Sequence, residues 1–266
     1  MQEKMKFSII IVNYNTKEIT KNCIDSIFRN CPGNNYEIIV VDNNSQDNSR
    51  EFLENNFGNK IKLINNKTNK GFGAGNNRGA RTAMGEYLFF LNSDTLINND
   101  IFKQIENYLI NNKEVGILAP ELKLKDGCRQ PDVFGRFPNI KNTIFNKLSV
   151  NATCNDQDID WVSGAALVIR KNLFAQLKGF DENFFMYFED IDLCKRIKEL
   201  GYKIMVLPEI SVVHLGGASF SDFNKKKKFY YQSQDYYFKK YYGVLALYIM
   251  KILRWPYKTL VIILNK

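Results

Sequence analysis

Histidine is almost missing from this sequence. Its 266 residues hold one, His214, so any imidazole chemistry rests on that side chain. Cysteine is scarce and scattered: Cys23, Cys31, Cys128, Cys154 and Cys194 form no Cys-x-x-Cys pair. An odd, dispersed set argues against a disulfide framework and a zinc site, and fits a reducing cytosol. No stretch reaches the roughly 18 uninterrupted apolar residues of a membrane-spanning helix. The apolar run behind Lys4 and Lys6, Phe7 to Val12, is too short for a signal peptide and reads as a first strand. Acids are outnumbered, 28 Asp and Glu against 37 Lys and Arg, and the net charge of +9 favours anionic partners: nucleic acid, nucleotide phosphates or an anionic membrane surface. A dinucleotide fingerprint is also lacking. The glycines of Gly71-Phe72-Gly73-Ala74-Gly75 are not spaced G-x-G-x-x-G and follow the third strand, not the first. They are read here as allowing close backbone approach to a ligand.

What is present is a rhythm. Strands are expected at Phe7–Val12, Tyr36–Val41, Ile61–Ile64, Tyr87–Leu91 and Val115–Ala119, each separated from the next by a helical pattern, which means βαβ units and a mostly parallel α/β sheet flanked by helices. Thr16 is expected to cap the first helix. The pattern breaks from Glu121 to Asp160, where Asp126-Gly127 signals a hairpin turn. It resumes at Trp161–Arg170 as a loop running into a strand. A helix follows from Glu189, with Ile191, Cys194, Ile197 and Leu200 on one face. Two further strands, Tyr202–Leu207 and Ile210–Val213, end at His214. The domain reading is 1–220 for the α/β unit and 221–266 for a basic, aromatic, apolar tail. Lys225 to Lys228, seven aromatics from Tyr230 to Tyr242, and a Leu/Ile-rich end broken by Lys251, Arg254 and Lys258 suit amphipathic helices lying on an anionic membrane. Packing of those helices on the core or on a second subunit, as in a homodimer, is the competing expectation.

Three strand ends carry chemistry. Tyr87–Leu91, five large apolar residues, reads as a central strand whose C-terminal edge presents Asn92, Ser93 and Asp94, the edge at which open α/β sheets bind ligands. Those three residues would equally cap a following helix. Asp42 ends the second strand and suits a base or ribose hydroxyl, or a structural turn. An Asp94 carboxylate and a His214 imidazole make a partial sphere for Mn2+ or Mg2+, which diphosphate oxygens and water would complete. In the Glu189-Asp190-Ile191-Asp192 cluster, acids on a first helical turn stabilise the helix dipole and favour the ionised form, while the aromatics Phe184 to Phe188 oppose it by desolvation. One of the three is expected to act as a general base.

In order along the chain, Ser8-Ile9-Ile10-Ile11-Val12-Asn13-Tyr14-Asn15, Val40-Val41-Asp42-Asn43-Asn44-Ser45, Asn69-Lys70-Gly71-Phe72-Gly73-Ala74-Gly75-Asn76-Asn77, Phe90-Leu91-Asn92-Ser93-Asp94, Val162-Ser163-Gly164-Ala165, Phe188-Glu189-Asp190-Ile191-Asp192 and Val213-His214 match a known pattern. With them residues 6 to 220 resemble the family 2 glycosyltransferases of the GT-A fold, especially the bacterial rhamnosyltransferase-like members. The resemblance implies that Asp42 reads the nucleotide base beside Val12, Asn13 and Tyr14, with Asn69, Gly71 and Asn76 also on the donor. It implies that Asn92-Ser93-Asp94 is the family's Asp-x-Asp motif with its first acid replaced, that Asp94 and His214 bind the metal, and that Asp190, preceded by Glu189, is the catalytic base. Trp161 and Gly164 would line the donor-sugar and acceptor pocket. The implied reaction is an inverting transfer from a nucleotide-diphospho-sugar, first dTDP-rhamnose, to a lipid-linked saccharide on the inner face of the cell membrane. A sugar-nucleotide nucleotidyltransferase is a second reading, though its phosphate loop would follow the first strand. A non-catalytic nucleic-acid binder using the Lys and Tyr tail is a third; the favoured reading has no nucleic-acid partner.

Overall fold

A computed structural model describes residues 5–33, 35–144, 159–216 and 223–264. Cys154, Gly217 and the expected domain boundary at 220 lie outside them. In chain order the elements are β1 (Phe7–Asn13), α1 (Lys17–Asn30), β2 (Tyr36–Asp42), α2 (Ser49–Phe57), β3 (Lys62–Asn65), α3 (Phe72–Thr82), β4 (Tyr87–Asn92), β5 (Thr95–Leu96), α4 (Phe102–Asn111), β6 (Val115–Lys123), β7 (Phe134–Gly135), α5 (Ile140–Ile144), β8 (Trp161–Val162), β9 (Ala166–Arg170), α6 (Lys171–Gln176), α7 (Glu189–Glu199), β10 (Lys203–His214) and α8 (Phe223–Leu264).

Eight strands form one sheet in the order β3-β2-β1-β4-β9-β6-β10-β5. The first four are parallel, as the βαβ rhythm requires, and β6 and β10 are parallel to each other. β9 runs antiparallel between β4 and β6 and joins the two parallel blocks. Side chains of β1 and β4 are buried on both faces, since helices cover the sheet on either side. The parallel strands β1 and β4 end in register at the same edge, so Asn13 and Asn92 stand at neighbouring C-terminal ends.

Several expectations change in detail. Thr16 holds the N-cap position of α1, but its hydroxyl donates to Oδ1 of Asn13 (2.9 Å) and makes no side-chain cap bond. Asn92-Ser93-Asp94 caps nothing either, because the next helix starts only at Phe102 and the chain first forms β5, antiparallel to the end of β10. The two strands expected after Tyr202 are one, β10, with its register slipping between Leu207 and Ser211. Pro208 sits in that slip, where it has no N–H to give to a ladder. Between Glu121 and Asp160, β6 runs on to Lys123 and the Asp126-Gly127 turn sends the chain back alongside it, with Gly127 at φ +85° and the Gln130 N–H donating to the Leu122 carbonyl (2.9 Å).

The tail is not an appendage. α8 breaks at Gly243 (φ 84°), and its first half packs on the α/β unit through Tyr237 and Phe238, which are buried with Phe184, Phe188 and Ile191 in a second apolar cluster. Packing on the core therefore holds for the first half. The second half folds back so that Ala246 and Met250 join the same cluster.

Candidate functional site

The C-terminal ends of β1 and β4, the α3 entrance, the start of α7, the end of β10 and the first half of α8 surround a cavity of about 590 Å³, within the size range of small-molecule sites. Of the residues singled out in the sequence, Val12, Tyr14, Asn69, Gly71, Asn92, Ser93, Asp94, Trp161, Gly164, Glu189, Asp190 and His214 lie on its wall. Asn13, Asp42 and Asn76 do not. Asn13 is fully buried beneath the wall, donating to Asp42 Oδ1 (2.6 Å) and accepting from the hydroxyls of Thr16 and Thr20. The Asp42 carboxylate accepts from Asn13, from Ser45 N (2.9 Å) and from Ser45 Oγ (2.5 Å), so it ties β1 to the loop after β2. Asn76 turns back to the Phe72 carbonyl (3.1 Å).

Asp94 and His214 meet because β5 pairs with β10, setting Thr95 against His214. Asp94 is 1% exposed, and neither carboxylate oxygen accepts a hydrogen bond from any described residue. His214 Nε2 stands 3.2 Å from Asp94 Oδ1, and Asn92 Nδ2 is 3.5 Å from the same nitrogen. On the other side of the ring, Nδ1 meets Gln130 Oε1 at 2.9 Å. A carbonyl oxygen can only accept, so Nδ1 gives its N–H to Gln130 and Nε2 is the ring nitrogen turned toward the carboxylate. A buried carboxylate and an imidazole nitrogen at this distance could share one cation. Oxygen plus imidazole is a donor set that suits Mn2+ or Mg2+. Among the described residues no third His, Cys, Asp or Glu joins the pair, so the rest of a coordination sphere would come from a bound ligand and water.

Asp190 opens α7. Its Oδ2 accepts from the Gly164 N–H (2.9 Å) and its Oδ1 from the Ile191 N–H (2.8 Å). Burial raises its pKa, and those two N–H groups oppose the rise without cancelling it. Glu189 is raised well above its ordinary value, by burial first and the neighbouring Asp190 charge second, and its Oε2 has no hydrogen-bond partner among the described residues. At this helix start desolvation thus raises both Glu189 and Asp190 despite the dipole. Asp192, the third acid, is fully buried away from the cavity and holds Arg196, Lys240 and Tyr241. The residues before the helix are themselves unusual. Tyr187 (φ 71°) and Phe188 (φ 69°) both adopt the left-handed region, which bulky side chains rarely enter.

The glycines at the α3 entrance are also needed by the protein's own packing. A Cβ on Gly71 (φ +96°) would stand 2.1 Å from the Phe185 carbonyl oxygen, which accepts the Phe72 N–H (2.9 Å). Gly73 and Gly75 meet Phe180 and Val12 in the same way. Sequence reasoning missed Gln130, Lys226 and Tyr230. Gln130 arrives by the hairpin, whose Asp-Gly signal was legible although its destination was not. Lys226 and Tyr230 reach the cavity from α8.

A model of the family described as Glycosyl transferase family 2 matches residues 8–155. The low-salt glycan biosynthesis hexosyltransferase Agl10 of Haloferax volcanii is 27% identical over 217 residues, covering 78% of this chain and 66% of that protein. Rhamnosyltransferase WbbL of Escherichia coli is 27% identical over 226 residues, covering 77% of this chain and 82% of its own. This chain therefore spans about two thirds of the first relative and about four fifths of the second. In fold it is similar to the mannosyltransferase PcManGT of Pyrobaculum calidifontis, solved with GDP-Man and Mn2+, with a TM-score of 0.63 at 16% identity over 96% of this chain and 71% of that one.

Proposed function

The chain belongs to glycosyl transferase family 2, with a GT-A-like fold, and is a glycosyltransferase by class; from that premise we propose that it moves a sugar from a nucleotide-diphospho-sugar to a hydroxyl of a lipid-linked saccharide, with inversion at the anomeric carbon. The observation that carries this reading is one cavity shared by an unsatisfied Asp94–His214 pair and a desolvated Asp190. Asp94 and His214 would hold a divalent cation, and when bound it would neutralise charge growing on the departing diphosphate. Val12, Tyr14, Asn69, Gly71, Asn92 and Ser93 form the wall on which the donor would lie. Asp190 takes the proton of the acceptor hydroxyl as that oxygen attacks. The Gly164 N–H fixes the carboxylate's orientation, and burial makes the ionised group a stronger base than an exposed aspartate. Likeness to a rhamnosyltransferase makes dTDP-rhamnose the first donor to try. The enzyme would work peripherally, on the cytoplasmic face of the membrane that holds its acceptor.

The experiment is nucleotide release from a panel of nucleotide sugars with an acceptor, with Mn2+ and with chelator. Asp190→Asn is expected to lower turnover about 100-fold or more while donor affinity stays within about threefold. Wild-type turnover in that variant would remove Asp190 from the mechanism.

A further inference from the structure

The second half of α8 has two apolar faces. Ala246 and Met250 turn inward to Tyr237 and Phe238. Leu245, Tyr248 and Ile252, spaced i, i+3 and i+7, form another stripe and are 75%, 58% and 69% exposed. One residue before Ile252, Lys251 leads into a cleft of about 510 Å³ between the two halves, whose charged lining is Lys227, Lys228, Asp235, Lys251 and Arg254. Arg254 pairs with Asp235 and lies 5.0 Å over the Tyr231 ring, so the one acid in the cleft is already matched, and Lys228 and Lys251 keep its lining basic.

We propose that this folded-back helix pair docks the enzyme on an anionic phospholipid surface, the Leu245 stripe entering the acyl boundary and headgroup phosphates entering the lysine cleft. Charge complementarity selects this occupant: a second copy would set one lysine cleft near another on a chain of net charge +9. No helix among the described residues is long and apolar enough to cross a membrane, so the stripe lies along the surface. The first half of the same pair gives Lys226 and Tyr230 to the cavity wall, so docking would set the cavity beside the layer that carries a lipid-linked acceptor. That last consequence rests on the function proposed above; the docking itself rests on the helix pair.

Flotation with vesicles of phosphatidylcholine, alone or mixed with phosphatidylglycerol, tests it. Wild type should float only with the mixed vesicles and be released as salt rises. Lys228→Glu with Lys251→Glu, and separately Leu245→Asp with Ile252→Asp, should each weaken binding at least about tenfold. Both pairs lie outside the cavity, so nucleotide release with a water-soluble acceptor should be unchanged. Equal flotation with both vesicle types, or full displacement by millimolar inorganic phosphate, would overturn the proposal. So would a wild-type dimer that Leu245→Asp converts to a monomer. Flotation without transferase activity would instead sink the proposed function and leave the docking intact.

Discussion

Glu189 shows at the single-residue scale how burial sets the chemistry here. In the fold its proton is held to a higher pH than in the unfolded chain. Between those two pH values the unfolded state has released a proton that the native state keeps, so stability falls as pH rises through that window. Glutamine cannot ionise, so Glu189→Gln should leave the melting temperature unchanged in acid and raise it relative to wild type above neutrality. A parallel pair of melting curves across pH is the check, and equal slopes would mean that Glu189 is not desolvated. The acid cluster itself was legible in the sequence. The direction of its pKa shift was not, because that depends on how completely Phe188, Ile191 and α8 shut out water, and the sequence left α8 open between a membrane surface and the core.

Among the elements, α7 and α8 act as one piece. Lys240 bridges Asp192 (2.5 Å) and Asp181 (2.7 Å), Tyr241 donates to Asp192 (2.7 Å), and Tyr236 donates to Asp181 (3.0 Å). Burial works against ionisation of Asp181, but Lys240 and Asn183 still bring it down to about 2. These contacts straddle the segment in which Tyr187 and Phe188 hold their left-handed conformations, with Phe188 against Tyr230 and Tyr237. Such backbone persists only where its surroundings over-determine it. Lys240→Met would leave a buried carboxylate one partner short. It should cost about 2 to 4 kcal/mol in urea titration and lower kcat more than it raises KM, because Asp190 follows the strained pair directly. An unchanged kcat at reduced stability would make the contact purely structural. The helices were readable from apolar periodicity, and so was the motif on α7. Their mutual contact was not, since tyrosines interleaved with lysines fit a membrane face and a packed helix equally well.

For the whole molecule the parallel half was written plainly in the sequence. β1 to β4 follow one another through regular crossovers, and their apolar runs mark them as central. The antiparallel β9, which joins that block to β6 and β10, was visible only as a strand, because nothing local states which neighbour a strand will choose. The expected division at 220 also described the chain's composition better than its packing. Two truncations separate the roles. Ending the chain at 222 would bare Phe184, Phe188 and Ile191 and should give insoluble protein. Ending it at 243 keeps Tyr237, Phe238 and the cavity-lining Lys226 and Tyr230, and should give soluble protein that still releases nucleotide. Solubility of the shorter form would show that the α/β unit folds without α8.

The hairpin after β6 carries a quieter consequence. Gln130 meets His214 because the turn at Asp126-Gly127 returns the chain in a set register, and in extended chain a slip by one residue exchanges the two faces. Substitutions around that tip should therefore be tolerated, provided the glycine's backbone geometry is respected. Adding or removing a single residue there would swing the amide away from the imidazole and free its proton to move to the other nitrogen. Drift in spelling is tolerated at this spot, and drift in length is not.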